Sequence, residues 1–178
     1  MRYFVLTLLP IMALFLQSTF FSFYSINGVI PDLVLIFAVF FALFNGPVRG
    51  AFYGYLCGLL EDLFLGRLIG VNALAKALTA YIIGRLQGTV FKENLMVGVL
   101  GVFLATVVNS FLVLILNLAW LNGAFLSLNI LKMVAWQIVY NIFLAIPVYI
   151  WYYKAVHFGV LKQGEERINE IIQIRKKT

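Results

Sequence analysis

Residues 46–62 read GPVRGAFYGYLCGLLED, the most informative pattern in the chain. Gly46, Gly50, Gly54 and Gly58 recur every fourth residue, and the next step lands on Asp62. Small residues at that spacing let two helix backbones approach closely in lipid, where van der Waals contact rather than hydrophobicity drives association. A second series follows in residues 76–88, KALTAYIIGRLQG, with Lys76, Ala80, Gly84 and Gly88. The turn between the two centres near Ile69, so Asp62 and Lys76 stand equally far from it. An antiparallel helix pair is therefore expected, with Gly58 facing Ala80, Gly54 facing Gly84, Gly50 facing Gly88, and an Asp62–Lys76 ion pair at the outer rung. A four-residue step drifts about 40° around a helix, so one face is held only by a right-handed crossing. The alternatives are that Gly is simply common in membrane helices, or that each series faces a different helix or another protein.

The rest of the chain is material for a membrane. Of 178 residues, 63% are hydrophobic and 11% charged, against roughly 25% charged in a soluble domain. The 17 Phe and 9 Tyr suit lipid-facing helices. Spans of about 20 apolar residues are expected at Tyr3–Phe23, Val29–Phe44, Val48–Leu65, Val71–Leu86, Leu95–Trp120 and Leu131–Tyr152. The first is longer than a signal-peptide core and lacks a small-residue cleavage site. Asn45-Gly46-Pro47 ends one helix and starts the next. The expected architecture is an all-α, polytopic membrane bundle of about six spans over residues 1–156. A basic tail, 157–178, follows: Leu161, Ile168, Ile171, Ile172 and Ile174 make a partial apolar stripe, suited either to an amphipathic helix on the membrane surface or against a partner or to a solvated anchor.

The basic residues orient the bundle. With the N-terminus inside, the inner side carries Arg2, Arg49, Arg85, Lys92, Lys154, Lys162, Arg167, Arg175, Lys176 and Lys177. The outer side carries Arg67 and Lys132. That bias predicts both termini in the cytoplasm and an even span count, and it accounts for the net charge of +6 without nucleic acid. Trp120 and Trp136 fall near the expected outer interface and Trp151 near the inner one.

Ionisable residues at membrane depth face protein or water. Glu61, Asp62 and Lys76 qualify, with Asp32 at the outer start of the second span. They make either an ion or proton path or a neutralised structural pair, and the acid-free inner halves of the spans favour the pair. Asn109 and Asn117 on the fifth span, with Gln137 and Asn141 on the sixth, form a second polar set for interhelical hydrogen bonds or for lining a ligand pocket. Cys57 and His157 are each alone, so no disulfide or Cys/His metal set is available. There is no HExxH, Walker loop, Gly-x-Ser-x-Gly or Ser-His-Asp set. No catalytic, cofactor or metal site is expected.

The chain resembles the bacterial rod-shape-determining MreD family. The residues that carry the likeness are Pro31-Asp32-Leu33, then Gly50 through Gly58-Leu59-Leu60-Glu61-Asp62, Gly66, Gly70, Asn72-Ala73-Leu74, and Tyr81 to Gly84. The resemblance implies a non-enzymatic subunit of the cell-elongation machinery in the cytoplasmic membrane. Its implied partners are the single-span protein MreC and, through it, MreB filaments, the RodA glycosyltransferase and a class B penicillin-binding protein. The fold class is also similar to the six-helix substrate-binding subunits of energy-coupling-factor vitamin transporters. A transport component is thus the second expectation.

Overall fold

The computed structural model describes residues 2–26, 28–66, 68–86, 95–121 and 128–157. Among them run six main helices and one single-turn helix: α1 (Arg2–Ser18), α2 (Phe20–Phe23), α3 (Leu33–Asn45), α4 (Pro47–Leu65), α5 (Val71–Arg85), α6 (Leu95–Leu121) and α7 (Leu128–His157). The protein is an all-α membrane helix bundle. The expected tail from Phe158 onward, Gly88 of the second ladder, and Arg67 and Lys92 lie outside the described residues.

Hydropathy assigns each helix its place. The stretches Val5–Phe23, Leu95–Leu118 and Ile130–Val156 are long and apolar enough to cross a bilayer. α3 is apolar on every side but has only 13 residues, about 20 Å at 1.5 Å per residue. A helix without a polar face belongs in the interior. Val34, Ile36, Ala38, Val39, Phe40 and Ala42 have no exposed surface, and α3 packs against α1, α4, α5, α6 and α7. At its lower end Phe40 and Phe44 meet Tyr149 and Tyr152 of α7 at ring distances of 5.5–6.4 Å.

Two helix boundaries follow from local chemistry. The second helix begins at Leu33 and not at Val29 as expected, because Pro31 disfavours helical backbone in the residue before it. Asp32 then caps α3, its Oδ1 accepting from Leu35 N at 2.8 Å. Gly46 donates to Ala42 O to close α3, at φ +94°, and Pro47 opens α4 in the position where its missing N–H costs nothing. Another proline is handled by a neighbour. Pro10 inside α1 withholds the amide that would bond Leu6 O, and the Tyr53 hydroxyl donates to that carbonyl at 2.8 Å.

α4 and α5 form the most extensively packed pair, in a register different from the expected one. A Cβ on Gly54 would sit 2.6 Å from Lys76 O, and one on Gly58 would run into Asn72 O. Gly50 lies against Ala42 of α3 as well as Ala80 O of α5, and Gly84 against Gly46 and Pro47. Gly58 therefore meets Asn72 and Ala73 rather than Ala80, and Gly54 meets Lys76 and Ala80 rather than Gly84. Relative to the expected register, α5 is displaced past α4 by about two helical turns. Gly66 (φ +62°) and Gly70 (φ +105°) cause it by folding the connection back, so that α5 starts beside the last turn of α4.

α6 and α7 behave differently along their length. Among described side chains, α6 has none buried beyond Asn109, and α7 none before Asn141. Beyond that level the paired ends of α6 and α7 bury no described side chain, with Phe111, Leu131 and Val139 well exposed.

Candidate functional site: a buried polar network at the head of α3

Lys76 is fully buried on α5. Its Nζ donates to Asp32 Oδ2 at 2.8 Å and lies 2.7 Å from Glu61 Oε2, the latter a charge contact outside hydrogen-bond geometry. The expected Asp62–Lys76 pair is thus corrected: Lys76 pairs with Asp32 and Glu61. Asp62, also fully buried, does other work. It accepts from Gly70 N (2.8 Å), Ala73 N (3.1 Å), Asn72 N (3.2 Å) and Asn72 Nδ2 (2.8 Å). The first amides of a helix have no partner within it, and the helix's positive end favours a carboxylate. Asp62 therefore caps α5 and holds the connection against the end of α4, while its neighbour Glu61 turns to Lys76.

Asp32 carries the network to the remaining helices. Its backbone N donates to Asn141 Oδ1 at 2.8 Å, Asn141 Nδ2 donates to Thr106 Oγ1 at 3.0 Å, and Thr106 donates to Val102 O at 2.8 Å. On the other side Gln17 Nε2 donates to Pro31 O at 2.9 Å. Tyr140 donates to Tyr24 O. Non-helical backbone at membrane depth is tolerated only where protein satisfies its polar groups. Residues 29–32, buried and irregular, receive that satisfaction from α1 and α7. One contiguous set of bonds thus ties α1, α3, α4, α5, α6 and α7 at a single level. Asn141 and Thr106 lie near the middles of the two longest apolar stretches.

The other predicted polar residues are dispersed. Asn109 is buried, its Oδ1 without a hydrogen-bond partner. Asn117 donates to Val113 O of its own helix at 2.8 Å, so it makes no bond between helices. Gln137 is half-buried one turn before Asn141. Asp32 is the residue whose role sequence reasoning missed, although Pro31-Asp32 before an apolar run is a recognisable helix start.

Chemically, the arrangement sets two carboxylates against one ammonium, with Thr106 and Asn141 hydrogen-bonded alongside. Among the described residues no His, Cys, Asp or Glu group is placed to hold a metal ion. The buried Cys57 is a free thiol. What the geometry does is hold six helices in one arrangement, because separating any of them strands a charge or an amide in an apolar interior.

No curated protein matches the chain, and no solved structure matches it. A protein family does: residues 1–158 match the one described as rod shape-determining protein MreD. That match takes in every described helix, both glycine series and the whole Asp32–Glu61–Lys76 network. The chain belongs to the rod shape-determining protein MreD family.

Proposed function

We propose that the protein is a non-enzymatic integral subunit of the cell-elongation machinery, scaffolding peptidoglycan synthesis through MreC. Through MreC it connects to MreB filaments, to RodA and to a class B penicillin-binding protein. It sits in the bacterial cytoplasmic membrane with both termini inside, in keeping with the ten basic residues assigned to that side against two outside. The family match over residues 1–158 carries this reading. The polar network supports it physically, since its charged groups are spent on one another and on helix ends rather than presented to a substrate.

Depletion in a rod-shaped bacterium tests the proposal. The expected result is rounded, swelling cells with vitamin uptake unchanged, and recovery of rods when the chain is restored. Cells that stay rod-shaped while losing uptake of one vitamin would replace the scaffold with a transporter's substrate-binding subunit.

A further inference from the structure

α1 and α7 both pack on α3 but make little contact with each other. The space between them is a groove of about 450 Å³, open to the side, with Phe37 of α3 as its floor. Met12, Ala13 and Leu16 form one wall, and Pro147, Val148 and Trp151 the other. Every lining residue is apolar. On α1 the lining runs from Val5 to Leu16, about 16 Å along the axis.

Length and volume decide what fits. At about 16 Å the groove covers half of a hydrocarbon core of about 30 Å, so it seats a chain from one leaflet rather than a helix that crosses both. At about 30 Å³ for a water-sized group, 450 Å³ holds about fifteen methylenes, which is one acyl chain. Charge decides which end bears the headgroup. Trp151 sits at one end of the groove, edge-on to Phe37 with ring centroids 6.3 Å apart, where an amphipathic indole marks the level of the headgroups. Lys154 is exposed one turn further along α7, on the side that carries Trp151. Basic residues at the mouth of a cleft between membrane helices attract anionic headgroups.

We infer that the α1–α7 groove binds one acidic glycerophospholipid, with one of its two acyl chains along Phe37 and its phosphate at Lys154. This does not depend on the proposed cellular role. The lipid belongs to the leaflet at the C-terminal end of α7, and it fills the gap between α1 and α7.

The test is native mass spectrometry of the full-length protein released from vesicles of equal phosphatidylglycerol and phosphatidylcholine. The wild type is expected to retain one phosphatidylglycerol in preference to phosphatidylcholine. Lys154→Gln should keep a bound lipid but lose about fivefold of that preference, the effect of one basic residue near the headgroups. Met12→Trp places an indole in the groove from a position half exposed to the membrane, and it should lose the retained lipid of either kind. Thermal melting within a few degrees of the wild type confirms that each variant is folded. If Met12→Trp melts early, Lys154→Gln decides alone, since its side chain is exposed. Equal retention of the two lipids by the wild type overturns the inference, as does unchanged preference in Lys154→Gln. So does retention of one phosphatidylglycerol by a folded Met12→Trp.

Discussion

Replacing Lys76 with Gln should be among the most damaging single changes in this bundle, and its effect should be relieved by a second substitution. The magnitude comes from what each acid keeps once the ammonium is gone. Asp32 retains its bond from Leu35 N and its place at the positive end of α3. Asp62 retains four donors that do not involve Lys76. Glu61 loses its counterion and remains buried. Truncating one partner of a buried pair costs about 3–5 kcal/mol, here on account of Glu61, or about 10 °C in melting temperature for a chain of this size. Glu61→Gln alone leaves the Lys76–Asp32 pair balanced one to one and should cost about 1 kcal/mol or less. Added to Lys76→Gln, it removes the stranded charge, so the double variant should be more stable than Lys76→Gln by about 2 kcal/mol. Thermal unfolding in detergent, arranged as double-mutant cycles, measures this. Asp62→Asn combined with Lys76→Gln should show a much smaller coupling. A Glu61/Lys76 double variant whose loss equals the sum of the two singles would mean that Glu61 is not stranded by loss of Lys76, and a large Asp62–Lys76 coupling would restore the pairing expected from the sequence.

Three further outcomes follow from the packing and the topology. Gly54→Ala should destabilise by about 1–3 kcal/mol in the same melting assay, because its Cβ meets the backbone carbonyl of Lys76 at 2.6 Å rather than a side chain that can move. Tyr53→Phe should cost about 1 kcal/mol, and less in a Pro10→Ala background, where α1 supplies its own amide to Leu6 O; an unchanged cost there would mean the hydroxyl does not serve that carbonyl. Single cysteines at Asn27 and Asn122, in a Cys57→Ala background, should react with impermeant reagents from outside intact cells, while one at Thr178 should not.

How far the sequence reveals the fold depends on which kind of signal each part carries. Helix boundaries with a steric or capping cause are legible: Gly46-Pro47 marks the α3–α4 junction, and hydropathy marks the long apolar runs of α1, α6 and α7. Small-residue spacing shows that α4 and α5 pack closely but leaves their register open. Counting residues from Ile69 treats the connection as symmetric, whereas the positive-φ conformations of Gly66 and Gly70 fold it back and bring the start of α5 beside Asp62. With the register displaced, the charge pairing is displaced too. Asp32 is 44 residues from Lys76, and no local pattern reports a contact at that separation. Asn117 shows the reverse limit. Amide composition suggests a bond between helices, yet a carbonyl one turn back was already within reach. The α1–α7 groove had no sequence signature, since its walls are ordinary membrane residues and its shape comes from two helices sharing a third.

The proposed scaffold role requires this MreD family member to hold other membrane proteins of wall growth. The most direct measurement is purification of the tagged full-length chain from native membranes of a rod-shaped bacterium at near-endogenous level, with quantitative mass spectrometry of what accompanies it. MreC is expected in a fixed molar ratio to the chain, retained after detergent exchange and diminished in Lys76→Gln along with the stability of the bundle. Recovery of the folded chain without MreC, or with a cytoplasmic ATPase in its place, would contradict it.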